Sequence, residues 1–395
     1  MKTLIELYDE LPMENVMSTE VFRPERTVFI CPPEVAANRA LHETLRAYFR
    51  RRGVESQLVF QESSLLDAEK VAKCLKRVIA EYPECALDIS GGTDAALFAG
   101  GMVSAASDIP VFTYSRKRNL YFNIRNAPFA HRLTCGVRLR VEDCFLMAGG
   151  AMREGRVDNG ILLRYTDAIG ALFKIYMNRR RDWTRIVTYI QRISQAGQGA
   201  ADASALMAEG ERTVKGERGA RIEAPMEALA DMEAAGLIHA LSSEGDMVRF
   251  VFSDANVRKW LRDVGSVLEL EVWKTCVQSG AFDDVVTSAV VDWAGAPVQD
   301  GVSNEIDVMA SKGVIPVFIS CKTCDVKTEA LNELAILRDR FGGKAARAAI
   351  VTGQSGGAAM RRRAQELQID VIDGNDLRSG AYKDQLPQLV KHNLG

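Results

Sequence analysis

Histidine is scarce in this chain. Its 395 residues include four, His42, His131, His239 and His392, and no two stand at a metal-ligating spacing. Histidine-rich metal centres and Ser-His nucleophilic triads are therefore poor readings. An excess of charge is missing too. Fifty Lys and Arg against 52 Asp and Glu leave a formal net charge of -2, so any nucleic-acid site must be a local basic patch. No apolar run is long enough to cross a bilayer. No secretory leader is evident, and the eight cysteines follow no framework spacing. These absences predict a reduced, cytoplasmic protein. Cys321-Lys-Thr-Cys324 is a lone C-x-x-C with no second pair to complete a structural zinc site. Apolar residues are plentiful at 47%, enough for packed cores in two or three domains.

Strand and helix patterns alternate through the first third. TLIELY reads as a strand, LPMENVMSTEVF as a short helix, TVFIC as a strand, and PEVAANRALHETLRAYFRRRG as one long amphipathic helix. SQLVF, a helix from Leu66 to Tyr82, CALDIS, the helix DAALFAGGMVSAAS and the strand PVFTYS follow. This order predicts an α/β, Rossmann-like, doubly wound parallel sheet with ligands outside the carboxyl ends of its strands. Ser90, Gly91, Gly92, Thr93 and Asp94 form the turn after CALDIS. Such a turn presents backbone N–H groups to an anion, although Thr93 acting as a helix N-cap accounts for it equally. It is neither a Walker loop nor G-x-G-x-x-G. Thr113 to Phe122 bring Tyr114, Arg116, Lys117 and Arg118 to the same edge, and Tyr8, Asp9 and Glu10 follow the first strand. Backbone donors, cations and aromatics together suit a phosphorylated nucleotide.

The middle section, 131–255, carries two helical patterns around the basic tract Arg179-Arg180-Arg181, then the small, polar QAGQGAADASA. A helix and a hairpin with a Ser-Glu-Gly-Asp turn follow, the ending of a winged helix. Glu227, Asp231 and Glu233 make that helix acidic, which favours a spacer over a DNA reader. The last section, 256–395, opens with the helix GSVLELEVWKTCVQSG, followed by DVVTSAVVDWAG. Next come the hairpin NEIDVMASKGVIPVFISCKT, a helix from Lys327 to Phe341, the strand ARAAIVTG, the basic helix AAMRRRAQELQ and the strand DVIDG.

The hairpin carries the chemistry. Side chains alternate along a strand, so Glu305 and Asp307 share a face, as do Ser320 and Lys322. A tight turn at Lys312-Gly313 sets residue 307 opposite 318 and residue 305 opposite 320. The neighbours are apolar, so these groups are expected to be partly buried. Clustered carboxylates in such surroundings are costly unless a cation compensates them. An edge-strand ion pair is the common alternative for such charges, but the apolar neighbours, the clustered carboxylates and the upstream Glu269 argue against it.

An acid on one strand, X-Cys-Lys on the next and Glu269 on an upstream helix resemble the PD-(D/E)xK nuclease core. The resemblance implies Asp307 and the Cys321 backbone carbonyl as ligands of Mg²⁺ or Mn²⁺, Glu269 completing the site and Glu305 as an extra ligand. Lys322 would be the catalytic lysine. This chain departs from the pattern at Ser320, where an acid is usual. Either Glu305 and Glu269 supply the lost charge, or metal binding is weaker and favours Mn²⁺, or the site is dead. Glu333 on the following helix is a further candidate. LIELYDELPMENVMS, FRPERTVFI, DISGGTDAALFAGG, NEIDV, FISCKT and RFGGKAA, in this order, resemble the CRISPR ancillary nucleases. Those join a CARF domain, here 1–130, through the winged-helix-like section 131–255 to a PD-(D/E)xK restriction-endonuclease-like domain, here 256–395. The resemblance implies a homodimer whose CARF domains bind a cyclic oligoadenylate, with cyclic tetra-adenylate the expected ring. It implies cleavage of DNA, single-stranded RNA or both with low sequence specificity. Arg361-Arg362-Arg363 or Arg179-Arg180-Arg181 would supply backbone contacts. Two rival readings are a constitutive restriction or repair endonuclease and a non-catalytic sensor with a degenerate nuclease domain.

Overall fold

The computed structural model describes residues 1–10, 12–116, 118–153, 159–194, 206–216, 219–293, 303–343 and 346–391. A first sheet is built from β1 (Thr3–Leu7), β2 (Arg26–Cys31), β3 (Gln57–Glu62), β4 (Cys85–Asp88), β5 (Val111–Ser115) and β6 (Leu120–Arg125). Its order is β3-β2-β1-β4-β5-β6, parallel except for β6. β1 and β4 are buried along their whole length, as central strands covered by helices on both faces must be. Two details differ from the sequence reading. The strand PVFTYS continues into an antiparallel partner, β6, so that Thr113 to Phe122 form a hairpin, with Asn119 left-handed (φ +51°) at the reversal. The long helix is split into Pro33–Ala36 and Arg39–Arg51, because the Asn38 side chain caps a new start by accepting the Leu41 N–H.

β7 (Ala151–Met152) leaves the middle section to pair with the second sheet. β8 (Met207–Glu211) joins the small sheet β11-β12-β8, and β9 (Thr213–Lys215) and β10 (Arg221–Glu223) form a ribbon. β11 (Ile238–Glu244) and β12 (Met247–Phe252) are the expected hairpin after the helix Met226–Ala234. Arg179 is bound by Asp231 at 2.8 Å and Glu227 at 3.0 Å, so that acidic helix neutralises the start of the basic tract. QAGQGAADASA lies outside the described residues.

The second sheet contains β13 (Asp284–Asp292), β14 (Ser303–Lys312), β15 (Ile315–Lys322), β16 (Arg347–Thr352) and β17 (Ile369–Ile372), in the order β17-β16-β15-β14-β13-β7. The helix Ser266–Ser279 packs on one face, in a core shared with the middle-section helices Thr166–Asn178 and Trp183–Ile193. The helices Thr328–Gly342 and Val141–Met147 cover the other face. Among the described residues no helix is long and apolar enough to cross a membrane.

Candidate functional site

The hairpin β14–β15 forms as its alternation suggested, with a shifted register. Lys312 pairs with Ile315 and Val308 with Ile319. The turn is therefore Gly313-Val314, with Gly313 at φ +58°, rather than Lys312-Gly313. A shift of two residues does not by itself move a side chain to the other face but changes the partners. Asp307, not Glu305, meets Ser320, whose hydroxyl donates to Asp307 Oδ2 at 3.1 Å. The same oxygen accepts the Cys321 N–H at 2.6 Å and the Lys322 ammonium at 3.2 Å. The Asp307 side chain is 14% exposed and that of Lys322 37%. Burial alone would lower the Lys322 pKa, but the Asp307 carboxylate outweighs it and the net shift is upward. Lys322 is thus a fixed ammonium.

Asp307, Ser320, Lys322, Glu305 and Glu333 line a cleft of about 310 Å³ between the hairpin and the helix Thr328–Gly342. Glu305 and Glu333 are exposed, so the partial burial expected of the hairpin acids holds for Asp307 and not for Glu305. Glu333 accepts from Asn304 at 2.7 Å, and Asn304 accepts from Trp293 Nε1 at 2.8 Å. Glu269 comes from the helix Ser266–Ser279 on the opposite face of the sheet. Its carboxyl is pushed up to about 8, first by burial, then by Asp307, Asp263 and Glu305, against a smaller opposing effect of Lys322.

The Cys321 thiol is buried in the core and strongly raised by burial, so it is no thiolate ligand. Its backbone is placed differently. Along a strand, N–H and C=O of one residue point to the same edge and alternate between residues. Lys322 O accepts the Gly353 N–H beyond β16, whereas Cys321 N–H faces Asp307. The Cys321 carbonyl therefore faces the Asp307 side. Among the described residues no three His, Cys, Asp or Glu side chains already form a metal cage. The donor set is nevertheless one of hard oxygens from Asp307, Glu305, Glu269 and a carbonyl, which fits Mg²⁺ or Mn²⁺. The raised Glu269 carboxyl fits as well, because a bound cation would offset both its burial and the crowding by Asp307, Asp263 and Glu305.

The edge of the first sheet is held by its own side chains. Gly92 (φ +98°) lies so close to Leu7 that a Cβ would sit 2.8 Å from the Leu7 Cβ. Its N–H donates to Asp9 Oδ2 at 3.0 Å, so one backbone donor expected to face an anion is occupied. Asn15 fixes Asp9 in turn, through two bonds of 2.8 Å to the Asp9 backbone. Ser90 points inward. Its N–H donates to Asp88 Oδ1, and its hydroxyl accepts the Tyr114 N–H, each at 2.7 Å. Thr93 caps the helix Asp94–Ser107 at the Ala96 N–H. Tyr114 is in the core with its hydroxyl on Asn119 at 2.8 Å. Tyr8 is half-buried, its phenol pushed up to about 12 mainly by burial. Arg116 is ion-paired with the buried Glu14, a partner that no pattern in the sequence announced. Gly91 packs on Asp9, Asp94 is exposed, and Lys117 lies outside the described residues.

Of the arginines proposed for nucleic acid, Arg361 pairs with Asp373 and Arg363 with Glu366 and Asn332. Arg362 is exposed.

Residues 256–392 match the family described as Card1-like, endonuclease domain. No curated protein matches the chain. Among solved structures, the protein VC1899 from Vibrio cholerae superposes with a TM-score of 0.75 at 17% identity, over 98% of this chain and 97% of that one. Can2 from Sulfobacillus thermosulfidooxidans, solved in complex with cyclic tetra-adenylate, gives 0.70 at 14% identity, over the same shares. The last third of the chain thus matches a Card1-like endonuclease domain, and nearly the whole chain shares the fold of VC1899 and Can2.

Proposed function

We propose that this chain is a metal-dependent endonuclease of type III CRISPR defence, switched on by a cyclic oligoadenylate bound at the edge of the first sheet. The observation that carries the reading is the 3.2 Å contact of Lys322 with Asp307 inside a stretch matched to a Card1-like endonuclease domain. When bound, Mg²⁺ or Mn²⁺ would polarise the scissile phosphate and acidify a water. Asp307, the Cys321 carbonyl and Glu269 would hold it, with Glu305 at the open side. Lys322, permanently charged, stabilises the charge that develops on the phosphate instead of taking a proton. Ser320 contributes a neutral hydroxyl where a carboxylate would add charge. Ser320→Glu is therefore expected to tighten Mn²⁺ about tenfold in a calorimetric titration. Unchanged or weaker binding would show that the serine does not limit metal affinity.

Fold likeness to a protein solved with cyclic tetra-adenylate supports that ring as the ligand. A second copy of the chain is the expected partner. Phe98 and Met102 stand one turn apart on the helix after the Ser90–Thr93 turn, 65% and 56% exposed. An isologous pairing through this helix would give a two-fold ring a two-fold pocket. Size-exclusion chromatography with light scattering should report a dimer that Phe98→Glu dissociates.

The two sheets are joined by a continuous strap. Cys135 N–H donates to Asn119 O at 3.1 Å, at the tip of the β5–β6 hairpin that carries Arg116. Four residues on, Leu139 N–H donates to Gly313 O at 2.8 Å, and Ser311 donates to Leu139 O at 2.5 Å, at the tip of β14–β15. Glu10, Arg116 and Val314 also line one cavity of about 230 Å³ between the two. A phosphate competing with Glu14 for Arg116 would move the first tip and, through the strap, the second. A ligand activates only by binding one arrangement better. Ser311→Ala should reduce the activation ratio of cleavage by the ring about fivefold, the worth of one hydrogen bond, with ring affinity little changed. An unaltered ratio would remove the strap from the coupling route.

A further inference from the structure

β13 and β14 share a defect at the centre of this site. Their register runs from Asp284 opposite Ser311 to Asp292 opposite Ser303, and one step is missing, the one that would set Ser288 against Asp307. Ser288 has φ +52°. A non-glycine residue in the left-handed region is uncommon, and its surroundings must hold it there. The packing records the effect. Val285 belongs to the core under the helix Ser266–Ser279 and Val286 to the opposite core, as alternation requires. Beyond Ser288, Ala289 and Val291 occupy the opposite core, which uninterrupted alternation would have assigned to residues 288 and 290. β14 loses its alternation at the same step. Ile306 and Met309 both lie in the core under the helix Thr328–Gly342, while Val308 lies in the other.

Asp307 therefore sits where the parity of its strand changes. Its carboxylate is turned toward the edge of β15, where the Cys321 N–H meets it. Ser288 and its neighbour Thr287 also hold two of the site's acids. Buried Thr287 donates through Oγ1 to the Asp307 carbonyl at 3.0 Å, and the Ser288 hydroxyl reaches Glu269 Oε2 at 3.4 Å.

We infer that Thr287 and Ser288 are positioning residues: the left-handed backbone at Ser288 turns the Asp307 carboxylate toward Lys322, and the two hydroxyls fix Asp307 and Glu269. The inference rests on the nuclease reading. It predicts a ranking that no side-chain role alone produces. Glycine adopts a positive φ freely, alanine at a penalty, and a β-branched residue worst. Cleavage with Mn²⁺ and the ring should therefore fall in the order Ser288→Gly, Ser288→Ala, Ser288→Val. The glycine variant should lie within about tenfold of the parent. The valine variant should lose about a hundredfold, as expected for a displacement near 1 Å, with the loss in kcat and not KM. Thr287→Val keeps a residue suited to a strand, removes only the hydroxyl, and should lose about fivefold; it serves if the Ser288→Val protein does not fold. Mn²⁺ binding, measured on the same full-length proteins, should weaken in the same order. Parent-like cleavage by Ser288→Val, or equal loss in glycine, alanine and valine variants, would overturn the inference while leaving the nuclease reading intact. A parent protein that neither binds Mn²⁺ nor cuts would bring down the nuclease reading, and this inference with it.

Discussion

Lys322→Ala is expected to lower cleavage by about a thousandfold, the usual worth of a preorganised charge aimed at the transition state. Asp307→Ala should do the same, for a different reason. Lys322 supplies a positive charge, whereas Asp307 is the point on which the Ser320 hydroxyl, the Cys321 N–H and the Lys322 ammonium converge. Removing the lysine leaves the metal ligands in place, so Mn²⁺ should still bind. Removing the aspartate strips the central ligand and leaves three donors without their acceptor, so Mn²⁺ binding should fail along with cleavage. Both variants should bind the cyclic oligoadenylate as the parent does, because the first sheet is untouched. Near-parental cutting by either variant would refute the site.

The second large effect is one of pH. Glu269 is raised from 4.5 to about 8, so near neutrality it carries a proton that a metal must displace. Apparent Mn²⁺ affinity should rise about tenfold per pH unit up to pH 8 and then level off, if one proton leaves for each ion bound. Calorimetry in buffers of different ionisation enthalpy would count that proton. Glu269→Gln should flatten the dependence and weaken binding. Without metal the sign is opposite. A carboxyl whose folded pKa is raised contributes stability that is fully present below its unfolded pKa, near 4.5, and is lost as pH rises toward 8. Glu269→Gln should therefore melt higher than the parent at pH 8 and show no such gain at pH 4.5. A parent protein with pH-independent Mn²⁺ binding would contradict the placement of Glu269 beside the other acids.

Elements whose signal is local were legible in the sequence. β1, β4 and β15 are buried apolar runs, and Thr93 caps a helix from the position its residue type suggests. The faces of β15, and of β14 from Val308 to the turn, were legible as well, because parity survives a two-residue error in register; the break in alternation at Asp307 was not. The register itself was not, since Lys312-Gly313 and Gly313-Val314 are both acceptable turns and packing chooses between them. Nor could the sequence show that Glu14 takes Arg116, or that Asp9 takes the Gly92 N–H. Those contacts join residues far apart in the chain, and no periodicity encodes them. Ser288 carries no warning of its left-handed backbone either, for serine within SAVVD looks like an ordinary strand residue. In each case tertiary packing decides what local pattern leaves open.

The most direct test is a cleavage assay on the purified full-length protein. Supercoiled plasmid, single-stranded DNA and single-stranded RNA would be offered with Mn²⁺ or Mg²⁺, with and without cyclic tetra-adenylate. Cutting that requires both the metal and the ring, and that disappears in Lys322→Ala, is the expected result. Equal cutting without the ring, or no cutting by a protein that has bound both ring and metal, would contradict a ligand-switched nuclease.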